Sequence, residues 1–155
     1  RLGWALVSKD VLPESLNRNY LEQTEVIIRT LRAQVLKGVE LPEEYTEAIG
    51  EFEFEKKRLT ELDEINWPKA ARQIAALKIT QLTRQTIPEA VYDVVMYHDK
   101  NNERLLVDKY AWLSSLRPSG YMIGLGKSLA DGWIDGGWGT GARERFLGAC
   151  LSRRS

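Results

Sequence analysis

Gly126-Lys127-Ser128 are the three residue types that close a phosphate-binding loop. Such a loop lets glycine-flanked backbone amides surround the phosphates while its lysine reaches them. The pattern needs another glycine five positions before Gly126, and that position holds Tyr121; Gly120 is one residue too early. Arg117-Pro118-Ser119-Gly120 stands where a hydrophobic lead-in strand belongs. The dinucleotide fingerprint also fails, because Gly124-Leu125-Gly126 is followed by Leu129 where its third glycine is required. A small nucleotide-binding module using Lys127 and Ser128 is therefore an alternative reading and not the leading one.

The remaining reactive side chains are sparse. His98 is the only histidine, so a multi-histidine metal site is excluded. The Glu-x-x-His pattern of di-metal helical bundles fails at Val95. Cys150 is the only cysteine, which rules out an internal disulfide, and nothing in the spacing joins it to His98 as a nucleophile pair. Glu51, Glu53, Glu55, Glu61, Asp63 and Glu64 read as a solvated acidic face or a dock for a basic partner. Arg143, Arg145, Arg153 and Arg154 make the C-terminus basic and suit that acidic face, anionic lipid or nucleic acid. The expectation is a protein with no catalytic, cofactor-binding or metal site.

A different regularity runs through the Gly-Lys-Ser. Gly120, Gly124, Ser128, Gly132 and Gly136 are spaced by four, and nine of the twelve glycines fall between Gly120 and Gly148. On a helix this spacing makes a ribbon of small residues that admits another backbone closely. Glycine weakens a helix by about 1 kcal/mol relative to alanine, so such a helix needs a partner surface. The alternative for 119–141 is a glycine-rich loop. With Trp4, Trp133 and Trp138 these five positions form the expected docking set for a partner.

Composition sets the frame around these residues. At 155 residues, 43% hydrophobic and 28% charged, the chain is long enough for one cored domain and too apolar for general disorder. Zero formal net charge argues against a dedicated nucleic-acid binder. Residues 1–66 carry 14 acidic and 9 basic side chains, whereas 67–155 carry 8 and 13, so the halves either complement one another or dock on charged partners. No apolar run is long enough for a membrane span, which leaves peripheral membrane contact through the Trp-rich segment open. The chain starts at Arg1, which fits an organellar protein stripped of its targeting sequence or a fragment.

The elements that must position these residues read as helices. Residues 1–13 form an extended arm held by Trp4 and Leu6. Helical spacing runs from Glu14 to Leu36, through Tyr20, Thr24, Ile27, Leu31 and Val35, up to Gly38. Pro42 opens a second helix that continues through the alternating run at 51–55 and ends at Ile65-Asn66-Trp67-Pro68. A third covers 68–85, a fourth starts at Pro88 and passes His98, and a fifth is built on Leu106, Tyr110 and Leu113. A β-hairpin across 91–112 is the rival for the last two. The expected fold is thus all-α: a helical bundle of four to five helices over 14–118, an extended N-terminal arm, and a Gly/Trp-rich docking tail over 119–155.

The stretch from Ile65 to Pro88, with its Trp67-Pro68 start, resembles a Trp-initiated helix in PsbQ-like extrinsic subunits of photosystem II. That resemblance implies a four-helix bundle serving a photosynthetic membrane complex. The residues themselves lead to a non-catalytic accessory subunit that docks with other protein subunits of a larger complex through its arm and tail.

Overall fold

The computed structural model describes residues 5–129 and 132–154. Helix α1 (Tyr20–Thr30) begins where Asn19 and Glu22 exchange a capping box: the Glu22 amide donates to Asn19 Oδ1 at 2.9 Å and the Asn19 amide to Glu22 Oε2 at 2.8 Å. It ends in a π-helical turn over Leu31–Val35. Helix α2 (Glu43–Ala76) starts at Pro42 and keeps 51–55 helical, burying Phe52 and leaving Phe54 84% exposed. The expected break at Pro68 is a kink: Asn66 leaves the helical region (φ −150°, ψ 74°), because proline removes a hydrogen bond and crowds the residues before it. Asn66 Oδ1 then accepts the Lys69 amide at 3.2 Å and recaps the second half. Leu77 interrupts the chain again before the short α3 (Lys78–Thr83), where Glu51 Oε2 accepts the Lys78 amide. Helix α4 (Ile87–Asn101) takes its capping box from Thr86 and Glu89 and stops at left-handed Asn102.

Beyond α4 the all-α expectation is overturned, and with it the helical bundle and the four-helix implication of the PsbQ-like resemblance. The fold is mixed α/β. Strands β2 (Tyr110–Leu116), β3 (Met122–Leu129) and β4 (Gly132–Trp138) make an antiparallel meander; the labels leave β1 for Ala5–Val7, β5 for Leu147–Gly148 and β6 for Ser152–Arg154. One sheet has the order β4-β3-β2-β5, with β5 parallel to β2, and β1 pairs with β6 in a separate ribbon. The fifth helix and the hairpin across 91–112 are both absent: α4 occupies the first half of that stretch and β2 follows it. Segment 119–141 is neither helix nor loop through most of its length, but the β3–β4 hairpin.

Burial on both faces explains why β2 reads as a helix. Tyr110 and Trp112 point to one side and pack with Tyr20, Phe52, Leu59 and Ile74 of α1 and α2. Ala111 and Leu113 point to the other, with Val11 and with Ala90 and Val94 of α4. A strand covered twice is apolar throughout and loses its alternation. The spacing of Leu106, Tyr110 and Leu113 then matches a helix by coincidence.

The arm also joins the body, through backbone and not through Leu6, which is 66% exposed. Leu12 donates to the Ala149 carbonyl and Ser8 to that of Leu151, and a small cluster of Ile27, Leu31, Tyr45, Ala149 and Leu151 lies beneath. Four ion pairs link the acidic and basic halves: Lys9–Glu103, Asp10–Lys109, Glu22–Arg143 and Glu47–Lys78. All four are exposed enough to contribute little each.

Gly126 sets how closely β3 approaches β2. A Cβ there would overlap the Lys109 carbonyl and lie 2.6 Å from Tyr110 Cα. Gly126→Ala should therefore destabilise by about 1–3 kcal/mol or disrupt the sheet. Gly50→Ala, within α2 and with open space around it, should instead stabilise by roughly 0.5–1 kcal/mol. Urea midpoints of the two variants check both signs.

Candidate functional site at the glycine-tryptophan hairpin

Gly124, Gly132 and Gly136 lie on strands, where residues two apart share a face. Gly124 on β3 sits opposite Gly136 on β4, and the Trp138 indole covers both. A Cβ on Gly124 would meet that ring at 2.8 Å, and one on Gly136 at 2.5 Å. Trp138 is fixed from its other side by Tyr110, centroid to centroid 4.9 Å, and by Phe146 at 6.3 Å. Gly120 (φ +98°) forms the turn before β3, and a Cβ there would lie only 2.9 Å from Pro68 Cα. The turn thereby seats on the α2 kink, where Tyr121 packs on Trp67 at 4.9 Å. Close approach is thus the use of Gly120, Gly124 and Gly136, and the group that approaches them belongs to this same chain.

The other expected docking residues are placed differently. Gly132 (φ +140°) has open space where a Cβ would stand. Trp133 donates from Nε1 to the Leu105 carbonyl at 2.8 Å and lies edge-on to His98. Ser128 lies on β3, and Trp4 falls outside the described residues. Lys127 is exposed at φ +45° on a bulged strand, with its amide donating to the Lys109 carbonyl at 3.0 Å. Gly126-Lys127-Ser128 is therefore part of a sheet ladder and not a loop ahead of a helix.

Several of the candidate acidic groups are engaged locally, and the thiol is held protonated. Burial pushes the Cys150 thiol up to about 12, which keeps it protonated at neutral pH. Asp63 accepts from Thr140, Glu51 caps α3, and Glu53 and Glu55 pair with Arg32 and Arg58. Arg143 grips Glu22 with two hydrogen bonds, while Arg145 is exposed. Among the described residues no group of three or more His, Cys, Asp or Glu converges on a metal-sized site, and no helix is long and apolar enough to cross a membrane. A groove of about 620 Å³ between α1 and α2 is bridged by the Glu25–Lys56 and Arg32–Glu53 ion pairs.

The residue that sequence reasoning missed is Arg84, which follows α3 and is 1% exposed. Its Nη1 donates to the Trp112 carbonyl at 3.0 Å and its Nη2 to the Tyr20 carbonyl at 3.2 Å, while the guanidinium stacks 3.8 Å over the Tyr20 ring. Longer contacts reach Gln23 and Thr24. Burial draws its pKa down, and it has no carboxylate partner among the described residues. Gln23 extends the network to the Leu147 carbonyl, and Tyr20 Oη donates to that of Leu113. An arginine one residue beyond a polar helix end gives no sequence signal of burial.

Among the described residues β4 forms an outer edge of the sheet. Lys127 donates to Lys109, and Arg117 to the Tyr121 carbonyl, so the odd-numbered residues of β3 bond to β2. In an antiparallel ladder hydrogen-bonding direction alternates along a strand. Met122, Gly124 and Gly126 therefore bond to their β4 partners Trp138, Gly136 and Ile134. Trp133, Asp135 and Gly137 then turn their N–H and C=O groups outward. Among the described residues no strand pairs with β4 on that side. Ile134 beside them is 40% exposed, and Arg117 Nη2 holds Asp135 Oδ2 at 2.7 Å. Compared with family models, curated proteins and solved structures, the chain matches none.

Two predictions test this geometry. Arg84→Ala should cost on the order of 3 kcal/mol or more, from the cavity and the abandoned carbonyls. Arg84→Lys, lacking the fork, should cost about 1–3 kcal/mol in denaturant titration. The Arg143 hydrogen bonds hold the Glu22 carboxyl below its ordinary 4.5. A depressed carboxyl stabilises above its unfolded pKa and loses that contribution as pH falls through the folded value. The melting-temperature gap between the unmodified chain and Glu22→Gln should therefore be full near neutrality and shrink below pH 4.5.

Proposed function

We propose that this protein is a non-catalytic subunit that joins a larger protein assembly by accepting an extended strand at the edge of β4. The observation that carries the reading is the row of outward N–H and C=O groups at Trp133, Asp135 and Gly137. Strand addition to such an edge supplies main-chain hydrogen bonds for affinity and alternate side chains for specificity. Edges that must stay free are commonly blunted by lysine, proline, a short length or a covering loop. β4 is seven residues long, contains neither lysine nor proline, and packs chiefly on β3.

The absence of catalysis is part of the same proposal. Cys150 is held as a thiol, Lys127 extends from a strand, and the indoles of Trp133 and Trp138 are engaged by their own chain. Side chains of this kind support a scaffold that presents an edge better than they support a reaction centre.

Ile134→Lys puts a charge on the edge without touching the Trp138 packing. In the assembly isolated from the native source, the unmodified chain should be retained and the Ile134→Lys chain, folded by circular dichroism, should be lost. Retention of both in equal amount contradicts strand addition at β4.

A further inference from the structure

Resting on the reading of β4 as a docking edge, we propose that the strand it accepts is β4 of a second copy of this chain. The two edges would lie antiparallel about a two-fold axis through Gly136 and join two four-stranded sheets into one.

The direction of the free backbone groups restricts the register. Only the odd-numbered residues of β4 face outward, so an antiparallel mate must set odd residues opposite odd ones. A two-fold axis through Asp135 satisfies this but places Asp135 against Asp135 of the partner subunit, and like charges directly opposed are unfavourable. Moving the axis to Gly136 sets Asp135 opposite Gly137 of the partner subunit and removes that repulsion.

The Gly136 register also meets a complementary charge. A Cβ on Gly137 would lie 3.4 Å from the Arg117 Nε, so the Arg117 guanidinium occupies the space where a side chain at 137 would stand. Directly opposed residues bring their Cβ positions to roughly 5 Å. The carboxylate of Asp135 from each chain thus reaches the other chain's guanidinium while remaining near its own, giving a closed four-member charge network. On the opposite face Ile134 is set against Trp138 of the partner subunit, an aliphatic–aromatic pair that covers the 40% of Ile134 left exposed. Both contacts are made twice, as an isologous interface requires.

The partner is argued from this chain alone: β4 supplies the backbone donors and acceptors, the acidic group and the apolar pair, and Arg117 just after β2 supplies the matching cation. A different protein would need to reproduce the same alternation.

Sedimentation equilibrium on the full chain tests the inference, over roughly micromolar to 100 μM concentrations suited to a small interface. The unmodified chain should pass from monomer to dimer within that range. Asp135→Arg sets two cations together within and across chains and should weaken dimerisation at least about tenfold. Arg117→Asp combined with Asp135→Arg should restore it, with thermal melts of dilute protein confirming that each variant folds. A chain that stays monomeric throughout, a dimer indifferent to Asp135→Arg, or a folded double variant that fails to recover each overturns the proposal. A monomeric chain that nevertheless enters its native assembly through β4 would remove the second copy as the occupant and leave the docking edge standing.

Discussion

The structure depends on one buried cation. Arg84 has left water with no carboxylate beside it among the described residues, and isolated charges are strongly penalised in an apolar interior. The penalty is offset only while carbonyls of α1 and β2, together with the face of Tyr20, surround the guanidinium. Those groups come from segments far apart in sequence, so the cation is tolerable only when α1, the end of α3 and the sheet have all arrived. Through Gln23 and Tyr20 the same network reaches β5 and Leu113 in the middle of β2. It is a checkpoint on the assembled core, and it ties the helical half to the sheet.

The glycine-tryptophan hairpin is built on the opposite principle, which is the removal of side chains. Gly124 and Gly136 clear one face for Trp138, and Gly126 brings β3 against β2. Trp138 in turn meets Tyr110, which shares a core with α1 and α2. The hairpin is thereby anchored through its faces and through its inner strand. The outer edge receives none of this support. A sheet that spends its apolar groups inward and stops at an uncovered, seven-residue strand has affinity left only in its backbone and its rim. The docking reading follows from that division.

Legibility in the sequence divides along physical lines. The helices opened by a proline were readable: Pro42, Pro68 and Pro88 each mark a start or a kink. The strands were not. β2 is covered on both faces and so lacks alternation, and the four-residue spacing of glycines on β3 and β4 satisfies a helical rhythm and a strand's two-residue rhythm alike. Those glycines read as a helical ribbon admitting another backbone, whereas on the strands they admit the Trp138 indole, an identity that depends on a register sequence does not state. Arg84 was invisible because burial of a cation is a property of its distant acceptors.

Residue-resolved amide exchange along β4, in isolated chain dilute enough to be monomeric, tests the central claim most directly. The account predicts alternation: slow exchange at Ile134, Gly136 and Trp138, whose amides bond to β3, and fast exchange at Trp133, Asp135 and Gly137, whose amides face outward. Uniform protection along β4 would mean that the edge is already covered, and the docking strand would have to be sought elsewhere.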